Sequence, residues 1–75
     1  MKEQKEPFKL AYQFEDELTT CEMIAETMCE ITGIDKKKWK EYYKIIYNIE
    51  SNCYELYLRN DKGVDWNDAI RACLH

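Results

Sequence analysis

A chain of 75 residues, 45% hydrophobic and 35% charged, holds one core and no second, and at this size only about 60% of the unfolded surface is buried. Its net charge of −4 argues against non-specific binding to nucleic acid or to anionic membranes, which want a basic footprint. There is no apolar run of the roughly 18 residues that a span needs, and the opening Met-Lys-Glu-Gln-Lys-Glu-Pro is charged where a signal peptide would be apolar, so a soluble, cytoplasmic protein is expected.

Charge and thiols are both informative in their distribution. Residues 1–34 carry eight acids against three lysines, net −5, while residues 35–75 carry eight bases against seven acids, net +1. Cys21, Cys29, Cys53 and Cys73 would suggest a disulfide framework only in a secretory context; reduced thiols are expected instead.

Residues 1–6 are charged and almost without apolar side chains, and they are read as a disordered lead-in to one globular domain over 7–75. From Pro7 onward Phe8, Leu10, Tyr12 and Phe14 alternate with Lys9, Ala11 and Gln13, the period of a half-buried strand. A short helix starting with Pro7 at its first position is the alternative.

Thr19 and Glu22 then stand at capping-box spacing, with Leu18 and Met23 placed as a hydrophobic staple. The helix this starts, over about residues 20–32, has Ile24, Ala25, Met28 and Ile31 on its apolar stripe, Cys21 and Cys29 nearer the edge, and Gly33 as its stop. Glu22, Glu26 and Glu30 recur at every fourth residue on the opposite side, where like charges repel by a few tenths of a kcal/mol per pair. Next, Asp35 caps a short turn through Lys36-Lys37-Lys38-Trp39-Lys40, a basic connection that can answer the glutamate ridge or solvate itself.

Most of the aromatic and branched side chains gather in residues 42–59. Folded as a hairpin about a two-residue Ser51-Asn52 turn, this stretch pairs Ile49 with Tyr54, Tyr47 with Leu56 and Ile45 with Leu58 on one face. The other face receives Glu50 with Cys53, Asn48 with Glu55, Ile46 with Tyr57 and Lys44 with Arg59. A single helix over 36–59 also gathers its polar residues in one arc, but five Tyr and three Ile within residues 42–58 favour strands. Asn60-Asp61-Lys62-Gly63 ends the hairpin as a turn. Asp65 and Asp68 then start a final helix over about 66–74, with Trp66, Ala69, Ile70, Cys73 and Leu74 along one face.

The fold class that follows is α+β, in the order strand-helix-strand-strand-helix, with both helices on one face of a three-stranded sheet. An all-α bundle with a long central helix over 36–59 is the alternative. The uncovered face would display Lys44, Ile46, Tyr57 and Arg59, an apolar pair with arginine at its rim, which is the composition of a binding hot spot.

Chemistry finds little support in the residues. Structural zinc sites bring ligands in close pairs, whereas Cys21, Cys29, Cys53, Cys73 and His75 are widely spaced. Cys-His catalysis would depend on His75, the last residue. No enzyme, metal or cofactor is expected. The expectation is a small acidic protein-protein interaction module or inhibitor, of phage or mobile-element type, that acts by surface contact. In one form Glu22, Glu26 and Glu30 are offered to the basic groove of a nucleic-acid enzyme. The alternative is single-stranded nucleic-acid binding on the open sheet by Tyr57, Arg59, Lys44 and Trp39, which the acidic net charge disfavours. A homodimer through an edge strand or the Ile46 and Tyr57 face is also expected, because an open sheet leaves edges unpaired.

Overall fold

The computed structural model describes residues 7–15 and 17–74; the expected disorder of residues 1–6 and the role weighed for His75 fall outside them. The elements run β1 (Phe8–Phe14), α1 (Leu18–Thr32), a 3₁₀ turn (Lys36–Glu41), β2 (Tyr43–Asn48), β3 (Cys53–Arg59) and α2 (Asn67–Cys73). The three strands form one antiparallel sheet in the order β1-β3-β2, so the chain is an α+β fold and the long central helix over 36–59 is not formed. No helix among the described residues is long and apolar enough to cross a membrane.

β3 takes the centre because it is the strand with apolar or shielded groups on both faces. Leu56 and Leu58 are buried on the helix side, and Cys53 and Glu55 are buried on the other. Both helices pack on the first of these faces. Cys21, Ala25, Met28 and Cys29 of α1 and Ala69 of α2 are fully buried in one cluster with Trp66, Phe14, Tyr43, Leu56 and Leu58. The stripe of α1 is thus centred on Cys21, Ala25, Met28 and Cys29, spaced i, i+4, i+7, i+8. The two cysteines are central and not marginal, and Ile31, expected on the stripe, is 44% exposed.

Helix ends follow local chemistry in three cases and depart from it in one. Gly33, at φ 82°, closes α1 with its N–H on the Glu30 carbonyl and the Ile34 N–H on the Cys29 carbonyl, the paired bonds of a Schellman stop. Asp35 accepts from the Lys37 N–H at 3.3 Å to start the 3₁₀ turn, and Asp65 accepts from the Asn67 N–H at 3.0 Å to start α2. The expected capping box of α1 does not form. The helix begins at Leu18 with Glu17 as N-cap and no side-chain cap bond, and Leu18 and Met23 are both exposed instead of stapled. Thr19 thus lies inside the first turn, and the Cys21 N–H two residues on, which an N-cap hydroxyl would accept from, already donates to the Glu17 carbonyl.

The hairpin register differs by two residues from the one expected of a two-residue turn. Tyr43 pairs with Leu58, Lys44 with Tyr57, Ile45 with Leu56, Ile46 with Glu55, Tyr47 with Tyr54 and Asn48 with Cys53. Ile49 through Asn52 form a longer turn, and Ile49, expected beside Tyr54, is 83% exposed. The tight primed turns need positive φ at the first central residue, and type I′ at both, whereas Asn52 adopts it, at φ 58°, and Ser51 does not. The Asn48 side chain instead accepts from the N–H groups of Glu50 and Ser51, and the Asn52 N–H donates to the Asn48 carbonyl, which makes the longer turn self-supporting. A shift of two preserves the faces, since side chains alternate with period two.

β1 departs from simple alternation. Its register against β3 slips between Leu10 and Tyr12, leaving Ala11 as the extra residue of a β-bulge. Phe8 and Leu10 consequently lie beside Arg59 and Tyr57 on the uncovered face, while Phe14 is buried against the helices.

Candidate functional site on the uncovered sheet face

Among the described residues no helix lies over the second face of the sheet, and all four side chains expected there are found there. Lys44 stands opposite Tyr57 and Ile46 opposite Glu55, with Arg59 further along β3; the expected pairs Ile46 with Tyr57 and Lys44 with Arg59 are corrected by the register. The bulge adds Phe8 opposite Arg59 and Leu10 opposite Tyr57. The Lys44 ammonium lies 4.8 Å from the Phe8 ring centre and 5.7 Å from that of Tyr57, and the Arg59 guanidinium lies 5.6 Å from Phe8. Cations over ring faces at such distances are held by the ring quadrupole. Leu10 and Ile46, 50% and 43% exposed, flank this cluster from the two edge strands.

Arg59 is clamped as well as stacked. Its Nε donates to Asp61 at 2.7 Å and one terminal nitrogen donates to the Glu41 carbonyl at 3.2 Å. The bond to Asp61 holds the guanidinium firmly protonated and, in return, lowers the Asp61 carboxyl below its ordinary value.

The middle of the face is polar and closed. Glu55, 8% exposed, accepts from Asn48 Nδ2 at 2.9 Å, from the Tyr57 hydroxyl at 2.8 Å and from Gln13 Nε2 at 3.0 Å. These bonds, led by that of Asn48, favour the carboxylate and lower its pKa despite the cost of burial. The three donors come one from each strand, so Glu55 ties the sheet together from its exposed side and fixes the Tyr57 ring.

The remaining candidates lie elsewhere. Glu22 and Glu26 are half-buried and turned toward Tyr43 on the helix side, and only Glu30 is fully exposed. The carboxylates of Glu26 and Glu22 both act on the Tyr43 hydroxyl. Burial first, then Glu26, Glu22 and Cys29, push that hydroxyl up to about 12. The glutamate ridge is therefore not part of the uncovered face. Trp39, named with that face for nucleic-acid stacking, packs against the core and donates to the Ile34 carbonyl at 2.8 Å; its position on the 3₁₀ turn, joined closely to α1, draws it to the helix side. Cys21, Cys29, Cys53 and Cys73 form no disulfide with one another. Burial, with Glu26 adding, lifts the Cys29 thiol to about 11, which marks it as an inert packing group.

Phe8, Leu10 and Gln13 were absent from the sequence-based set because the unbroken Phe8, Leu10, Tyr12, Phe14 alternation hides the bulge. The small Ala11 at its centre is the one local hint. Comparisons with protein-family models, with curated proteins and with solved structures return no match.

Proposed function

We propose that this chain is a small interaction module that docks another protein on the uncovered face of its sheet and so acts as an accessory or inhibitory subunit. The observation that carries this reading is the cluster of Phe8 and Tyr57 under the cations of Lys44 and Arg59, flanked by exposed Leu10 and Ile46. Aromatic rings and arginine are the groups that dominate binding energy at protein interfaces. The ties of Glu55 and Asp61 hold two of these groups in place before contact, which reduces the ordering cost of association. The complementary partner presents an apolar residue flanked by carboxylates, set against Lys44 and Arg59. Docking by the glutamate ridge has less support, since Glu22 and Glu26 already serve Tyr43.

The test is affinity capture with the immobilised chain at low and high salt, with the captured protein then purified and titrated. Leu10→Asp and Tyr57→Ala are expected to weaken that binding by at least about tenfold, and Lys62→Ala to leave it unchanged. Equal binding by all variants, or no partner at either salt, overturns the reading.

Single-stranded nucleic acid is the second reading, favoured by one observation, that two aromatic rings and two cations share a sheet face. Fluorescence titration with mixed oligonucleotides separates the two readings. Binding that weakens steeply with salt supports nucleic acid, and its absence at about 50 mM salt dismisses it.

A further inference from the structure

The two edges of the sheet are not alike. β1 follows Pro7, carries Lys9 and is broken by the bulge at Ala11, all devices that discourage pairing with another strand. β2 has neither proline nor bulge and pairs with β3 without interruption from Tyr43 to Asn48.

Parity shows which of its backbone groups are used. The Arg59 N–H donates to the Tyr42 carbonyl at 2.8 Å, so in this register Lys44, Ile46 and Asn48 also turn their N–H and C=O toward β3. The backbone groups of Tyr43, Ile45 and Tyr47 consequently point away from the sheet, and no turn, loop or cap among the described residues takes them up. Tyr47 and Ile46, near the end of the same strand, are 44% and 43% exposed.

We propose that the occupant of this edge is a second copy of the chain, with β2 pairing antiparallel to its counterpart about a two-fold axis at Ile45 to make one continuous six-stranded sheet. In that register Ile45 meets its own symmetry mate and Tyr43 meets Tyr47 twice, three pairs with about six N–H···O bonds. Centring the axis on Lys44 or Ile46 leaves about four, and the Lys44 centre also sets two ammonium groups opposite each other. With the axis at Ile45, Lys44 stands opposite Ile46 instead. On the helix side the apolar row Ile45 with Leu56 continues across the axis into the same row of the second copy, and the row Tyr47 with Tyr54 into the row Tyr43 with Leu58, extending a core that is marginal in a chain this short. The pairing uses backbone groups of the edge and does not depend on the docking reading of the open face.

Sedimentation equilibrium of the full chain from micromolar to millimolar concentration, joined to amide hydrogen exchange at both ends of that range, tests the proposal. The expected result is a dimer in which exchange at Tyr43, Ile45 and Tyr47 slows by at least about tenfold with concentration. The amides of Lys44, Ile46 and Asn48 exchange slowly throughout. A synthetic chain N-methylated at Ile45 loses one outward N–H and keeps every β2–β3 bond, so it should dimerise at least about tenfold more weakly. Leu10→Asp, on the far edge, should dimerise normally even as it weakens docking on the open face. A monomer at every concentration overturns the proposal, and so does a dimer whose three odd-numbered amides exchange as fast as in the monomer. Should the N-methylated chain fail to fold, the exchange pattern of the unmodified chain still decides.

Discussion

Leu56→Ala and Ile49→Ala form a pair that tests the hairpin register through stability. Leu56 is fully buried at the middle of the central strand, between Tyr12 on one side and Ile45 on the other and in one cluster with Met28 and Ala25. Truncating a leucine in such a site costs about 2–5 kcal/mol, the transfer of the lost carbons plus the cavity left behind. A domain of 75 residues has a total stability of about 4–11 kcal/mol, so the substitution removes a large fraction of it and lowers Tm by roughly 10–30 °C. Ile49, 83% exposed in the turn, has no such contacts, and Ile49→Ala should stay within about 0.5 kcal/mol of the parent. A two-residue turn would instead seat Ile49 against Tyr54 on the covered face. Urea unfolding followed by fluorescence of Trp39 and Trp66, both packed in or against the core, measures the two effects. A loss above about 1 kcal/mol for Ile49→Ala would refute the register, and a near-neutral Leu56→Ala would refute the placement of the core.

Three further outcomes are expected. The pKa of Cys29 is lifted to about 11 and that of Tyr43 to about 12; both are raised in the folded state, so their contribution to stability is whole below about pH 9 and is lost as pH rises through those values. Alkaline unfolding should therefore soften in Tyr43→Phe, and thiol alkylation of Cys29 should stay negligible at pH 8, as read by mass spectrometry. Glu55 runs the other way: its pKa is lowered by three hydrogen bonds, so the stability it contributes is present above its ordinary value of 4.5 and is lost as pH falls below it. Urea midpoints measured from neutral pH downward should fall less steeply in Glu55→Gln than in the parent, and parallel curves would exclude the network as an acid-sensitive tie. Gly33→Ala, at φ 82° with open space around the missing Cβ, should cost about 1 kcal/mol of backbone strain alone, and an unchanged midpoint would contradict the Schellman stop.

Local chemistry in the chain was enough for the order and type of the elements. Five tyrosines and three isoleucines within residues 42–58 argued for strands, Gly33 for the end of α1, and Asp65 for the start of α2, each through preferences that act within a few residues. The face that Lys44, Ile46, Tyr57 and Arg59 share was also legible, because the period of two survives a slip of two. Tertiary structure alone decided what depends on competition between distant groups. The register was set by the Asn48 side chain and the left-handed Asn52 against a tighter turn. The bulge at Ala11 brought Phe8 and Leu10 to Tyr57 and Arg59, although alternation in β1 gave no sign of it. Burial turned Glu55 from one more surface acid into the tie between three strands, since its donors Gln13, Asn48 and Tyr57 lie up to 42 residues away, and a carboxylate's role follows from the donors that surround it and not from its place in the chain.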